Sequence, residues 1–201
     1  MQISKDNSLI ILDWDDTLFP TAWTMKNKIN MSSKERYKYS DYFNHLDRVL
    51  YNFLNKLTVN MKVIIVTNAL HAWVNLSAEV MPNTFNVLKN IEIISARLNH
   101  RKHSDDIYDW KLFAFKNLIT REFKNKKMLN VISVGDAEYE YKALISIDEH
   151  QKNKKRYLKS VRFLEKPSHE ILIEQIQILH NSIDKICNHE NHLDLVFNKF
   201  K

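Results

Sequence analysis

Among 201 residues there are one cysteine, one glycine and three prolines, and no apolar run approaches the roughly 20 residues that a bilayer crossing needs. The segment from Met1 to Asn7 is polar and charged, so neither a membrane span nor a signal peptide is expected, and no membrane partner. A lone Cys187 has no partner for an internal disulfide, which fits a reducing, intracellular compartment, cytoplasmic or nuclear. Average usage of about 7% would put roughly 14 glycines in a chain of this length. The one that is kept, Gly135, is expected where the backbone must take positive φ or pass close to another group, and Asp136 follows it.

What is present describes a folded domain. Hydrophobic residues make up 44%, aromatics 11% and charged residues 27%, which excludes a disordered tail or a fibrous repeat. The length suits one domain, 1–201, with 167–201 a C-terminal helical extension packed on it. Thirty Lys plus Arg against 24 Asp plus Glu give +6, which suits anionic partners. The basic residues cluster at Lys124, Lys126 and Lys127, at Arg97, Arg101 and Lys102, and at Lys152, Lys154, Lys155 and Arg156. Such clusters fit either solvated loops or a surface that attracts a phosphorylated or nucleic-acid substrate.

Short apolar or β-branched runs at Ser8 to Leu12, Lys62 to Val66, Ile91 to Ser95, Met128 to Val134 and Tyr157 to Leu164 read as five strands. Stretches with helical spacing lie between them: Ser33 to Leu57, Ala72 to Val80, Asp105 to Phe123 and Glu138 to Ile147. Strands that alternate with helices make βαβ units, hence an α/β fold with a parallel sheet of about five strands flanked by helices. After Pro167, Leu172, Ile176, Leu179, Ile183 and Ile186 form a stripe expected to dock on the domain's own core, leaving a monomer rather than a dimer.

The chemistry gathers at strand ends, where open α/β sheets bind ligands. The first strand runs into Asp13, Trp14, Asp15, Asp16 and Thr17, and in extended chain Asp13 and Asp15 would project together. An acidic cluster behind apolar strand residues is costly unless compensated, and a bound cation is the simplest compensation. The second strand ends in Thr67 and Asn68, whose hydroxyl and amide can donate hydrogen bonds to phosphate oxygens, although Thr-Asn is also ordinary turn chemistry. In the helix from Asp105, Lys111 falls in the middle of the apolar face of Ile107, Ala114, Phe115 and Leu118, so its ammonium either snorkels out or reaches a buried anionic site. The fourth strand ends in Gly135 and Asp136, and a carboxylate there can approach the same ion as Asp13. Phe19, Trp23, His71 and Trp73 fit either the entrance to such a site or the core, and the spacings His100/His103 and His189/His192 lack a third ligand.

Four ordered motifs here resemble those of the haloacid dehalogenase superfamily of phosphotransferases. Asp13, Asp15 and Thr17 match its DxDxT signature, Thr67 its second-motif hydroxyl residue, Lys111 its third-motif lysine, and Gly135 with Asp136 its fourth motif. Glu140 stands where the family's GDxxxD form has a second aspartate, and would hold a metal-bound water or orient Lys111. The resemblance implies a Rossmann-like fold, and a Mg²⁺ held by Asp13, the Asp15 backbone carbonyl and Asp136. It further implies a nucleophile at Asp13, a general acid and base at Asp15, phosphate contacts from Thr67, Asn68 and Lys111, and supporting roles for Thr17 and Glu140. The activity implied is hydrolysis of a phosphate monoester through an aspartyl-phosphate. With no room for a cap domain between Leu18 and Met61 or between Ile94 and Asp105, the expected substrate is large: a phosphoprotein or a nucleic-acid end. The competing readings are transfer to an acceptor other than water, and a non-catalytic phosphate- or nucleic-acid-binding protein.

Overall fold

The computed structural model describes residues 3–123, 130–150 and 156–198. The basic residues Lys124, Lys126, Lys127, Lys152, Lys154 and Lys155, and Met128 at the start of the expected fourth strand, lie outside the described residues.

One parallel sheet of six strands organises the chain, in the order β3-β2-β1-β4-β5-β6: β1 (Ser8–Leu12), β2 (Lys62–Thr67), β3 (Glu92–Ser95), β4 (Asn130–Gly135), β5 (Tyr157–Arg162) and β6 (Leu193–Val196). The helices are α1 (Thr21–Lys26), α2 (Ser40–Asn60), α3 (His71–Ala78), α4 (Pro82–Leu88), α5 (Ala96–His100), α6 (Ile107–Phe123), α7 (Glu138–His150) and α8 (His169–Asn188). A 3₁₀ turn over Lys34–Tyr39 precedes α2, so the helix expected from Ser33 is regular only from Ser40. The architecture is α/β and compatible with a Rossmann-like fold.

β1 is buried on both faces, which is why it reads as a continuous apolar run. Because strand side chains alternate, Ile10 and Leu12 join one core with α2, α3 and α8, through Leu46, Leu50, Val74, Leu172 and Ile176. Leu9 and Ile11 join a second core with α6 and α7, through Phe115, Leu118, Ala143 and Leu144. The central strand therefore sits between two helical layers, and whatever follows Leu12 emerges between them.

Buried polar groups are paired where they serve the frame. Asp47 of α2 accepts from the backbone N–H of Asn83 at 3.1 Å and of Thr84 at 2.7 Å, supplying from another helix the cap that α4 lacks. Lys159 of β5 donates to the carbonyls of Ile186 at 2.6 Å and Cys187 at 2.9 Å, closing the last turn of α8. Burial lowers the Lys159 ammonium from its ordinary 10.5 to about 8. Between those values the unfolded chain binds a proton at this site that the folded one has released, so Lys159 contributes a rise of stability with pH there. Lys159→Met is expected to flatten this rise, as read by urea denaturation between pH 7.5 and 10; an unchanged slope would contradict it.

The sixth strand was not expected, and its connection is unusual. The crossovers to β2 and β3 step one way across the sheet over the α2 face, and those to β4 and β5 step the other way over the α6 face, all of one hand. From β5 to β6 the chain again steps outward, but over the α2 face with α8, giving the opposite hand. Connections of that hand are rare because strand twist disfavours them. β6 is correspondingly slight, with Asp194, Leu195 and Val196 exposed.

Candidate active site

Strand order brings three strand ends together. β2 and β4 flank β1 in register, Leu12 beside both Ile65 and Val134, so Asp13, Thr67 and Asp136 leave the sheet at one edge. The chain turns from one side of β1 to the other between β3 and β4, and the crevice at such a reversal is where open α/β sheets bind ligands.

Asp13 prolongs the sheet, its N–H donating to the Val134 carbonyl at 2.9 Å. It therefore keeps the side-chain direction of Leu9 and Ile11, toward α6. There it meets Lys111, which is wholly buried among Ala114, Phe115 and Leu118, with Nζ 2.7 Å from Asp13 Oδ1. The same ammonium pairs with Glu140 from the first turn of α7 and lies 4.9 Å from the Tyr139 ring centre. Lys111 thus takes the second of the two courses open to it, reaching a buried anionic site.

Charge at this site is unbalanced. Asp13, Asp15, Asp16, Asp136 and Glu140 gather around Lys111 as the buried cation, with Lys166 acting on Asp16. Burial raises Asp13 above its ordinary value, and the charge of Lys111 opposes it while that of Asp15 adds to it. Asp136 is pushed to about 8 by burial and then by Asp13, Glu140 and Asp16. Glu140 rises to about 7 through burial, again against the pull of Lys111, and Asp16 to about 6 through burial. Burial lowers Lys111, but the carboxylates Asp13 and Glu140 outweigh it and hold the ammonium charged well above the usual lysine range.

Asp15 is held by the other layer. Its Oδ1 accepts from Trp73 Nε1 of α3 at 2.7 Å and from the Thr21 hydroxyl of α1 at 2.5 Å. Asp13 and Asp15 are near enough to feel each other's charge, yet they do not project as one pair: each is tied to a different helical layer. Beyond Asp15 the chain turns sharply at Asp16, whose φ of 55° lies in the left-handed region. Its N–H donates to the Phe19 carbonyl at 2.7 Å, and its carboxylate accepts from the Ala22 N–H at 2.8 Å, folding the turn over α1. Trp14 donates to Ser77 of α3 at 2.9 Å, so two indoles, Trp14 and Trp73, bolt α3 to this turn.

The remaining expected residues are placed as follows. Thr67 is wholly buried and its Oγ1 accepts from the Ala69 N–H at 3.0 Å, which leaves its O–H proton for another acceptor. Asn68 Oδ1 and Thr17 Oγ1 are buried without a hydrogen-bond partner. Phe19 belongs to the core, Trp23 packs against Tyr39, Tyr42, Phe43 and His169, and His71 is exposed. Of the four aromatic-entrance candidates only Trp73 bonds to a candidate site residue.

Gly135 is needed for close approach, not for positive φ. A Cβ there would overlap Glu140 Cγ and come within 2.6 Å of its Cδ and 2.8 Å of its Oε2. The glycine lets Glu140 lie over the strand end, where Oε2 accepts from the Ala137 N–H at 3.2 Å and Oε1 meets Lys111. Of the two roles open to Glu140, its direct contact is with Lys111.

Among the described residues no three His, Cys, Asp or Glu side chains form a ready metal cage. A small hard dication asks for less, one or two carboxylates completed by water and substrate oxygens. Asp13 and Asp136 fit that demand in kind: both are oxygen donors, and Asp136 is held near 8 by burial and then by neighbouring carboxylates, whose charge a dication would offset. No sequence reasoning pointed to Asp16, Tyr139 or Thr21; Asp16 had a signal in the unbroken Asp15-Asp16 pair, while the other two act through contacts made only by folding. No family model, no curated protein and no solved structure matches the chain.

Proposed function

We propose that the chain is a Mg²⁺-dependent phosphate monoester hydrolase of the haloacid dehalogenase type, acting through an aspartyl-phosphate on Asp13. The observation that carries the reading is the buried Asp13–Lys111–Glu140 ion-pair chain at the C-terminal edge of the sheet, with Asp15 held separately across it. Lys111 ties one Asp13 oxygen and leaves the other to attack phosphorus, forming a P–O bond as the bond to the leaving oxygen breaks. Asp15 gives its proton to that oxygen, then takes one from the water that attacks phosphorus, releasing phosphate and restoring Asp13. Lys111, Thr67 and Asn68 would donate to the phosphoryl oxygens, and Glu140 keeps Lys111 charged and aimed. Asp13, Asp136 and the Asp15 carbonyl would hold the Mg²⁺, which would supply neutralisation of the charge on those oxygens.

Substrate size follows from what covers the site. The segment between β1 and β2 is spent on α1, the 3₁₀ turn and α2, whose Phe43, Leu46, Leu50 and Leu54 belong to the core, and the link from β3 to α6 holds only α5. No separate cap is formed among the described residues, so water would be excluded by the substrate itself, as a phosphoprotein or a phosphorylated nucleic-acid end can do. The test is phosphate release from a phosphopeptide, a 3′-phosphorylated oligonucleotide and a sugar phosphate, with Mg²⁺ and after chelation. Mg²⁺-dependent turnover is expected, with kcat/KM at least about tenfold higher on a macromolecular ester. Turnover unaffected by chelation contradicts the metal, equal turnover of the sugar phosphate contradicts the open site, and no turnover of any ester contradicts the hydrolase.

A further inference from the structure

Asp15 is the one carboxylate of the site whose hydrogen-bond donors come from neutral side chains of two other elements. Trp73 Nε1 of α3, at 2.7 Å, and Thr21 Oγ1 of α1, at 2.5 Å, converge on the same oxygen, Oδ1. The two donors differ in what they specify. A threonine hydroxyl can donate or accept by rotating, so it leaves the state of Oδ1 open, whereas an indole N–H can only donate. Oδ1 must therefore act as an acceptor in either protonation state of Asp15, and a proton on this carboxyl belongs on Oδ2.

The indole itself is fixed from several sides. Its ring meets Phe19 edge-on, with centroids 6.0 Å apart, and Phe19 is fully buried within the turn that carries Asp15. One turn along α3, Ser77 accepts from Trp14 at 2.9 Å and donates to the Trp73 carbonyl at 2.7 Å. The helix bearing Trp73 and the turn bearing Asp15 are thus coupled at two points, which sets the indole before any substrate arrives.

We propose that Trp73, aided by Thr21, is a positioning residue for Asp15: it holds Oδ1 as an acceptor and thereby makes Oδ2 the atom that delivers the proton to the leaving oxygen. This rests on the hydrolase reading and adds to it a source for the direction of proton delivery. The consequence is specific to the leaving group. An alkoxide leaves poorly without a proton, whereas p-nitrophenolate leaves well without one, so misplacing the proton penalises the alkyl ester more.

The experiment compares wild type, Trp73→Phe and Thr21→Val on p-nitrophenyl phosphate and on an alkyl phosphate. Trp73→Phe keeps the ring and its packing on Phe19 and removes the N–H. Its kcat on the alkyl ester is expected to fall about 10- to 100-fold further than on the aryl ester, with KM little altered on either. Thr21→Val, on a different element, is expected to shift the same ratio in the same direction by a smaller factor. A second readout needs neither metal nor turnover. In metal-free protein the Trp73 indole N–H resonance is expected to move upfield in Asp15→Ala, while that of Trp110, bonded to the Ser104 carbonyl at 2.7 Å, stays in place. Equal losses on both esters in folded variants, or an unmoved Trp73 resonance, overturn the inference and leave the hydrolase reading intact. A wild type that hydrolyses neither of these esters nor any macromolecular phosphate ester refutes the hydrolase reading and the inference with it.

Discussion

Lys111→Met is expected to cost about 3–5 kcal/mol of folding stability at pH 8, because it keeps the volume and stem of the lysine but leaves the carboxylates of Asp13 and Glu140 buried without their cation. Both carboxylates lie almost entirely out of solvent, and Lys111 is wholly buried between them. The loss should depend on pH in a definite direction. Burial already raises Glu140 from 4.5 to about 7 against the pull of Lys111, and removing that pull raises it further, with Asp13 following. A carboxyl raised above its unfolded value favours the folded state while protonated and loses that contribution as pH rises through its folded value. The destabilisation is therefore expected to shrink at pH 5, where Glu140 can take up a proton in place of its partner. Urea denaturation of both proteins at the two pH values measures this; a cost that is equal or larger at pH 5 would contradict the arrangement. On the proposed reaction the same substitution also removes the main donor to the phosphoryl oxygens, and kcat is expected to fall at least about a hundredfold.

Gly135→Ala should also be damaging, although it adds one methyl group at a backbone conformation open to any residue. The added Cβ would overlap Glu140 Cγ and crowd Cδ at 2.6 Å. Glu140 cannot swing aside freely, since it is buried and held by Lys111 and by the Ala137 N–H. Overpacking of this kind costs about 1–3 kcal/mol, and displacing Glu140 from Lys111 should lower activity by roughly tenfold or more. A double-mutant cycle isolates the cause. With Glu140→Ala already in place, Gly135→Ala has nothing to strike and is expected to be neutral or to stabilise by about 0.4–1 kcal/mol through the unfolded chain. A cost that persists in that background would mean that the glycine serves something other than Glu140.

These two positions also show how far the sequence reaches. Lys111 stands out because a charged residue in an apolar helical stripe is expensive, and the structure supplies the two carboxylates that make it tolerable. Gly135 stands out by rarity alone, and of the two uses open to it, close approach is the one the fold makes. The left-handed positions that glycine often takes are filled here by Asp16, Lys28 and Lys166, with φ between 48° and 55°. β1, β2 and β4 were legible because burial on both faces leaves continuous apolar runs. α1, α4 and α5 span at most seven residues, too few for a period to show, and α4 borrows its cap from Asp47, far away in the chain. β6 is four residues with a charge inside it, LDLV, and carries no strand signal of its own. The separate holding of Asp13 and Asp15 was not legible either, because it depends on Trp73, 58 residues beyond Asp15, and on the turn at Asp16.

The most direct measurement is hydrolysis of p-nitrophenyl phosphate, with and without Mg²⁺, by wild type and by Asp13→Asn. The substitution changes little volume and removes the carboxylate that would attack phosphorus. Mg²⁺-dependent turnover in wild type, reduced at least about a thousandfold in a folded Asp13→Asn protein, is the expected result. Turnover by Asp13→Asn at a rate comparable to wild type, or none by wild type on this or any phosphate ester, would contradict the assignment of Asp13 as the nucleophile of a phosphatase.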